Sequence, residues 1–346
     1  DGEYVVKLQD LTLGGGAEYF YRLDIDSGPR VAFVSPCVVQ RGQPARLTVH
    51  GWNLGAAATP KQSASDGLQT LELNLSASDT SPRASLPVRL RGYQAVVDWT
   101  MVETPGGALP ALVSVTDAPV VVEARAANRR KDDSIQTHDS AQPLTAPVEV
   151  AADFDRPDEV DWYSIDAAAG EVFYFEAFGQ RIGSPIDLQI DVHEFRTAAG
   201  ETRTASDATV GSPAPPESTA PRAPNTTRIQ RLASFEDETD NHGGRTVPTD
   251  HLDPCGRWVA PRAGRFLISV RNLKLGASAG PRRQYRLAVR REEPEFRVLA
   301  MPRSEEVRGL NVARGGRETI ELVALRRRGM DGPICVRAGD LPFGLT

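Results

Sequence analysis

The stretch from Phe154 to Phe178 reads Phe-Asp-Arg-Pro-Asp-Glu-Val-Asp-Trp-Tyr-Ser-Ile-Asp-Ala-Ala-Ala-Gly-Glu-Val-Phe-Tyr-Phe-Glu-Ala-Phe. Apolar side chains alternate along its two arms: Tyr163 and Ile165 in the first, and Phe173, Phe175 and Ala177 in the second. A period of two is typical of half-buried β-strands. We therefore predict a β-hairpin whose turn is the small-residue run 167–170.

Two further segments accompany this stretch, 180–187 (Gln-Arg-Ile-Gly-Ser-Pro-Ile-Asp) and 263–270 (Ala-Gly-Arg-Phe-Leu-Ile-Ser-Val). Together with Asp158–Glu171 they resemble the bacterial pre-peptidase C-terminal domain, whose signature is an Asp-x-Asp-Trp-Tyr-x-Phe segment, a Gly turn and an aromatic strand. The versions in large exported proteins of planctomycete-like bacteria are the most similar. The resemblance covers residues 119–290 and implies a secreted, jelly-roll-like β-sandwich. It does not by itself imply catalysis, because in this family the domain is an accessory beside catalytic or adhesive domains.

An internal repeat surrounds this region. Residues 2–14 align with 264–276, and Tyr21–Ile25 aligns with Tyr285–Val289. The second copy closes the predicted sandwich, so we predict that residues 1–27 are the closing hairpin of a preceding domain of the same kind. A lone two-stranded hairpin is marginally stable in water. The chain is therefore expected to be part of a longer polypeptide.

The repeat continues, because residues 41–49 have a counterpart in 314–322. After the first copy, the segment His50–Gly55 is similar to the Gly-x-Asn-Leu element of immunoglobulin-like TIG/IPT domains. We predict an immunoglobulin-like sandwich over 28–118 and the start of another over 291–346. The strands predicted in the first are Ala45–Val49, Leu68–Leu75, Ser85–Leu90, Ala95–Met101 and Ala111–Thr116. The predicted fold class is all-β, with a jelly-roll-like sandwich and immunoglobulin-like sandwiches in tandem.

One insert interrupts the predicted central domain. Residues 197–229 are rich in Ala, Thr, Ser and Pro and carry too little apolar surface to form a core of their own. We expect this segment to loop out from the sandwich.

Calcium is the metal that the resemblance implies, since related domains hold it in an acidic segment that precedes the sandwich and in the first loops. The family's usual Glu-Pro-Asn start is replaced here by Ala126-Ala127-Asn128, so this sequence departs from the pattern. The predicted calcium ligands are Asn128, Asp132, Asp133, Asp155 and Asp161. The alternative is that these side chains cap turns and keep a sheet edge soluble.

Other chemistries have weaker signals. Gly276-Ala277-Ser278-Ala279-Gly280 matches a nucleophile-elbow pattern, but a Pro follows it and no histidine comes after His251. His242 and His251 lie in an acidic stretch without cysteines at zinc spacing. We interpret Ser278 as part of a hairpin loop and both histidines as solvated loop residues.

The remaining functional classes are constrained by composition. The formal net charge of −6 is spread along the 346 residues, without the basic cluster of a nucleic-acid-binding protein. No apolar run has the length of a membrane helix. Trp162 and Trp258 are predicted to pack in cores. Cys37, Cys255 and Cys335 fall in three different predicted units, so no disulfide within a unit is expected.

These observations predict a non-enzymatic, structural or weakly binding segment of an exported or cell-surface bacterial protein. Its expected partner is an extracellular polymer, a matrix or the cell wall. A second hypothesis is the accessory arm of an exported peptidase or other hydrolase whose catalytic domain lies outside this chain. A third is a spacer that binds no ligand.

Overall fold

The computed structural model describes the chain apart from residues 1, 11–12, 18–20, 22, 24, 26, 56–58, 61–66, 83–89, 105–109, 125–140, 197–227, 245–246, 275–279, 303–311, 340–342 and 345–346. Within this part the secondary structure consists of β-strands and two 3₁₀ turns, Gly92–Gln94 and Gln180–Ile182, which confirms the predicted all-β class. The strands are β1 (Arg30–Ser35), β2 (Val38–Gln40), β3 (Ala45–Trp52), β4 (Thr59–Pro60), β5 (Gln69–Leu75), β6 (Trp99–Val102), β7 (Ala111–Thr116), β8 (Val120–Val122), β9 (Gln142–Pro143), β10 (Val148–Asp153), β11 (Val160–Ala167), β12 (Val172–Phe178), β13 (Leu188–Arg196), β14 (Arg228–Phe235), β15 (Cys255–Val259), β16 (Gly264–Asn272), β17 (Gln284–Arg291), β18 (Glu295–Pro302) and β19 (Ile320–Arg327).

Strands β1 to β7 form a first sandwich, which we call the N-terminal sandwich. One sheet has the order β1-β3-β5-β4 and the other has the order β2-β7-β6. Alternate residues of β3, such as Leu47 and Val49, have no exposed surface and pack against the opposite sheet through Val113 and Val115. The alternation that predicted β3 and β5 thus corresponds to one more deeply buried face, whereas residues 113–116 of β7 are buried on both faces.

Strands β8 to β17 form the central sandwich, made of two five-stranded sheets. Their orders are β15-β12-β17-β10-β8 and β14-β13-β16-β11-β9. The two inner faces enclose the largest apolar core of the described chain, which contains Tyr163, Ile165, Phe173, Phe175 and Trp258. The inward-facing residues predicted from the alternation are therefore confirmed.

The pairing predicted for these two arms is wrong. β11 pairs with β16 and β9, whereas β12 pairs with β15 and β17 in the opposite sheet. Successive strands β11 and β12 thus lie in opposite sheets and form no hairpin. The same holds for the predicted closing hairpin, because β16 and β17 also lie in opposite sheets. Alternation reports which side of a strand is buried, and both arrangements bury the same side chains.

The N-terminal segment also differs from the hairpin predicted for it. No strand is formed by the described residues among 2–29, and Tyr4, Val5 and Val6 are largely exposed. The hairpin predicted there is absent from the described part of this segment. Its counterparts β16 and β17 pair with strands β11, β13, β10 and β12 of the central sandwich and not with each other.

Several strand and insert limits also differ from the prediction. Strands β1 and β2 were not predicted, and the strand predicted at Ala95–Met101 begins only at Trp99, after the 3₁₀ turn Gly92–Gln94. The predicted insert 197–229 ends two residues early, since Arg228 and Ile229 already pair with Arg196 and Phe195 in the β13–β14 ladder. The predicted strand Ser85–Leu90 lies almost entirely outside the described residues.

Strands β18 and β19 form a two-stranded antiparallel sheet, which we call the C-terminal hairpin. Ile320 and Leu322 on β19 are about half exposed, at 47% and 49%. These two residues align in the repeat with Leu47 and Val49, which are fully buried in β3. No helix with the length and hydropathy of a membrane span occurs in the described part of the chain.

Candidate functional site at the junction of three units

The five predicted calcium ligands have different positions. Asn128, Asp132 and Asp133 lie outside the described residues. Asp155 is exposed in the turn after β10, whereas Asp161 on β11 is fully buried. The structure therefore places two of the five residues, in opposite environments.

Asp161 lies at the end of a buried chain of hydroxyl groups. Tyr285 donates its phenolic O–H to Asp161 Oδ2 at 2.5 Å, and the Tyr163 and Tyr285 hydroxyls are 2.7 Å apart. Asp161 Oδ1 is buried and has no hydrogen-bond partner among the described residues. Burial raises the pKa of Asp161 well above its ordinary value, and the negative charge of Glu123 raises it further.

This arrangement fits part of a cation site. Ca²⁺ takes six to eight oxygen ligands, and a buried carboxylate oxygen without a hydrogen bond is such a ligand. Glu123, itself buried, contributes a second carboxylate charge near Asp161. The described residues contain no group of three or more His, Cys, Asp or Glu side chains that could hold a metal ion. They thus supply an incomplete ligand set.

A second buried carboxylate has the opposite surroundings. Glu149 on β10 has no exposed surface, and its carboxylate is bound by Arg286 in two places, with Nη2 to Oε1 at 2.9 Å. Arg290 binds the same carboxylate, and Thr116 of the N-terminal sandwich donates its hydroxyl to Oε1 at 2.6 Å. Burial alone would raise the pKa of Glu149, but the charges of Arg286 and Arg290 outweigh it and lower the pKa.

Glu176 on β12 continues this network toward the C-terminal hairpin. Its carboxylate accepts hydrogen bonds from Arg181 at 2.6 Å, Arg327 at 3.2 Å and Arg290 at 3.3 Å. Burial opposes ionisation of Glu176, yet the charge of Arg181, followed by those of Arg327 and Arg290, holds its pKa well below the ordinary value. The carboxylate is therefore ionised and bound to all three arginines.

Arg181 is the most deeply buried cation of this network. It has no exposed surface and pairs with Asp253 at 2.8 Å as well as with Glu176. Its guanidinium and that of Arg286 lie 4.0 Å and 4.5 Å from the ring centroid of Phe178. Such cation–π contacts gain strength when they are desolvated.

Apolar packing closes the same junction. Val97 and Trp99 of the N-terminal sandwich pack on Phe178 and Ala288 of the central sandwich. The Cys37 thiol donates to the Tyr285 carbonyl at 3.3 Å, and burial raises the pKa of this thiol to about 12.

Two further contacts bring the units close together. At Gly92, a Cβ would lie 2.3 Å from the backbone oxygen of Pro248 on the central sandwich. Arg297 of the C-terminal hairpin binds Asp98 of the N-terminal sandwich with two hydrogen bonds, at 2.9 and 3.2 Å. Each of the three units thus contacts the other two.

A cavity of about 430 Å³ adjoins this network and contains the remaining candidate residues. His251 is buried there, and burial together with the charge of Arg181 lowers its pKa to about 4. The Cys255 thiol donates to Glu238 at 3.2 Å, and burial raises its pKa to about 12. His251 is thus buried, which corrects its interpretation as a solvated residue, whereas His242 is exposed as expected. Ser278 lies outside the described residues.

None of the arginines or glutamates of this network was predicted from the sequence to be functional. One signal was present, since Arg286 has a counterpart in Arg22 at the same position of the repeat. The predictions for Trp162 and Trp258 are confirmed, because both side chains are buried. The three cysteines are free thiols.

The chain is similar to solved structures but not to any family model or curated protein. The pre-peptidase C-terminal domain of collagenase from Bacillus anthracis aligns with 46% of this chain and 99% of its own length, at 10% identity and a TM-score of 0.26. This chain is therefore similar, over less than half of its length and at low identity, to one solved domain of that type.

Proposed function

We propose that this chain is a non-catalytic structural arm that holds successive β-sandwich units in one fixed orientation. The observation that carries the proposal is the Glu149 carboxylate, which is fully buried between two units and bound by Arg286, Arg290 and Thr116. Domains joined by small polar interfaces move relative to each other by default. Here the contact is both apolar and ion-paired.

The ion pairs of Glu149 with Arg286 and Arg290 lie within the central sandwich, so separation of the units would leave them formed but would expose them to water. Drawing the N-terminal sandwich away would remove Thr116 from Glu149, expose Phe178 and break the Arg297–Asp98 pair. The docked orientation is therefore favoured over a hinge.

A further part of the proposal is the type of protein that contains such an arm. We infer alternating pre-peptidase-like and immunoglobulin-like units in an exported or cell-surface protein, spacing or attaching it to a polymer, a matrix or the cell wall. The support is the internal repeat together with the sequence resemblance at Asp158–Glu171. An accessory arm of an exported hydrolase is the second candidate, and it requires the same rigid junction.

The rigidity is tested by small-angle X-ray scattering of the full chain and of the double variant Thr116→Val with Asp98→Asn. Both substitutions remove contacts between units and leave the sandwich cores intact. We expect a compact, rigid scattering profile for the wild type and a larger radius of gyration for the variant. The matched control is Thr48→Val, since the Thr48 hydroxyl donates to the exposed Glu72 at 2.7 Å within the same sandwich. A wild-type profile already typical of flexibly linked units would refute the proposal.

The attachment role needs a separate test. We expect saturable binding of the purified chain to at least one insoluble polymer in sedimentation assays with collagen, peptidoglycan and cellulose. An absence of saturable binding to all three would favour the spacer hypothesis over attachment.

Calcium binding is a second candidate function, favoured by one observation, the buried Asp161 Oδ1 without a hydrogen bond. A ligand that binds only the native state stabilises it by about 2.7 kcal/mol at a concentration of 100 times Kd. We expect calcium to raise the unfolding temperature relative to chelator, and Asp161→Asn to abolish that rise. Asp166→Asn is the matched control, because Asp166 is exposed on the same strand. An equal response in both variants would refute a role for Asp161.

A further inference from the structure

Arg290 occupies a particular position in the junction, because its guanidinium contacts two carboxylates that serve different neighbours. Nη2 binds Glu149, the carboxylate that receives Thr116 from the N-terminal sandwich. Nη1 donates a hydrogen bond to the Glu176 carboxylate at 3.3 Å. Glu176 also accepts a hydrogen bond from Arg327 of the C-terminal hairpin. One side chain therefore lies between both docking contacts.

The other arginines of the network do not share this property. Arg286 contacts Glu149 and the Val115 carbonyl of the N-terminal sandwich, but it makes no contact with Glu176 among the described residues. Arg181 contacts Glu176 and Asp253, both within the central sandwich. Among the described residues, Arg290 is thus the one cation that binds both Glu149 and Glu176.

We propose that Arg290 couples the docking of the N-terminal sandwich to the docking of the C-terminal hairpin. The inference rests on the proposed fixed junction and adds that its two halves are cooperative. Loss of the Thr116 contact lets water reach Glu149, which weakens the hold of that carboxylate on Arg290. Arg290 then holds Glu176 less firmly in the position that Arg327 binds. Coupling of this kind is reciprocal, so loosening Arg327 weakens the Thr116 side as well.

A direct contact could produce the same behaviour without Arg290. Arg297 of the C-terminal hairpin binds Asp98 of the N-terminal sandwich, and this pair bypasses the central sandwich. Asp98→Asn weakens the bypass by removing its charge. Coupling that persists in the Asp98→Asn chain is therefore attributable to the route through Glu149, Arg290 and Glu176.

The experiment is hydrogen–deuterium exchange on the full chain in the Asp98→Asn background. Thr116→Val is expected to increase amide exchange in β7 and, about threefold or more, in β18 and β19. Combined with Arg290→Lys, the same substitution should still affect β7 but leave β18 and β19 unchanged. A lysine keeps the charge without the fork that binds two carboxylates. Arg290→Gln is the second variant, with the same expectation.

The outcomes separate this inference from the proposed function. Faster exchange in β7 alone, with β18 and β19 unchanged, would refute the coupling and leave the fixed junction standing. An effect on β18 and β19 that survives Arg290→Lys would refute the role of Arg290. No effect in either region would contradict the fixed junction itself. Arg327→Gln should loosen β7 through Arg290, which checks reciprocity.

Discussion

Glu149 and Asp161 are two carboxylates of the central sandwich with no exposed surface, and their pKa values are shifted in opposite directions. Burial disfavours ionisation of both. Around Glu149 the arginines reverse the effect and the pKa falls, whereas around Asp161 the neighbouring Glu123 adds to it and the pKa rises. Burial alone therefore does not indicate what a carboxylate does, because the sign of the neighbouring charge decides it.

The two residues consequently contribute to stability in opposite pH ranges. The lowered pKa of Glu149 means that its contribution is present above the pKa of the unfolded chain and is lost as pH falls through the folded value. The raised pKa of Asp161 means that its contribution is present below the unfolded value and is lost as pH rises through the folded value. Glu149 supports a fixed junction at neutral pH, whereas the raised pKa of Asp161 means that this residue costs stability there unless a cation binds it.

Glu149→Gln should have the largest effect of the substitutions that test this comparison. The neutral amide leaves Arg286 and Arg290 buried with reduced countercharge, at an expected cost of about 3–5 kcal/mol in the free energy of unfolding. The measurement is urea unfolding at pH 7 followed by tryptophan fluorescence. The matched control is Glu72→Gln, which removes an exposed pair with Arg46 and should cost at most about 1 kcal/mol. Equal losses in the two variants would contradict the importance of burial for Glu149.

The sequence predicted more of the sandwiches than of the junction, for a physical reason. Alternation identified the inward faces of β11 and β12, because one buried side imposes a period of two. It did not identify their pairing partners, since two successive strands bury the same residues whether they pair in one sheet or lie in opposite sheets. Glu149 stands between Val148 and Val150 and reads as the solvent side of a strand. Thr116, 33 residues earlier in the chain, buries that side of the strand, and no local sequence pattern indicates such a contact.

The candidate calcium site also shows what the sequence could not predict. Acidic residues near the start of β11 suggested a cation site from composition, and Asp161 does lie in an acidic environment. Composition could not distinguish it from Asp155, which is exposed six residues earlier. The distinction depends on Tyr285, which reaches Asp161 across the core from β17.

A second substitution tests whether close approach of the units maintains the paired state of Glu149. Gly92→Ala places a methyl group where the Pro248 backbone oxygen lies 2.3 Å away, so the N-terminal sandwich must shift. We expect a loss of about 1–3 kcal/mol, typical of overpacking, in thermal unfolding. Gly339→Ala is the control, because nothing lies within 4 Å of its Cβ position. Unchanged stability in Gly92→Ala would mean that the contact at Pro248 yields without opening the junction.

Asp161→Asn should have the smallest effect and the opposite sign. Without added cation, the amide can still accept the Tyr285 hydroxyl and removes a buried charge, so the variant should be more stable than the wild type at pH 7. The gain should exceed the roughly 0.5 kcal/mol typical of surface substitutions. Because the wild type loses stability as pH rises toward and through the raised pKa of Asp161, the gain should grow from about pH 4 upward. The measurement is the unfolding temperature in chelator across that range.

The pH dependence distinguishes this explanation from a purely steric one. If Asp161→Asn stabilises the protein equally at all pH values, its effect comes from packing and not from charge. If the variant is less stable than the wild type in chelator, the ionised Asp161 carboxylate has a favourable partner. In that case Asp161 and Glu149 would both be compensated buried charges, and the contrast between Asp161 at the start of β11 and Glu149 at the junction would not hold. A gain that increases with pH would instead show that the core keeps one carboxylate without compensation, which is the condition a bound cation would relieve.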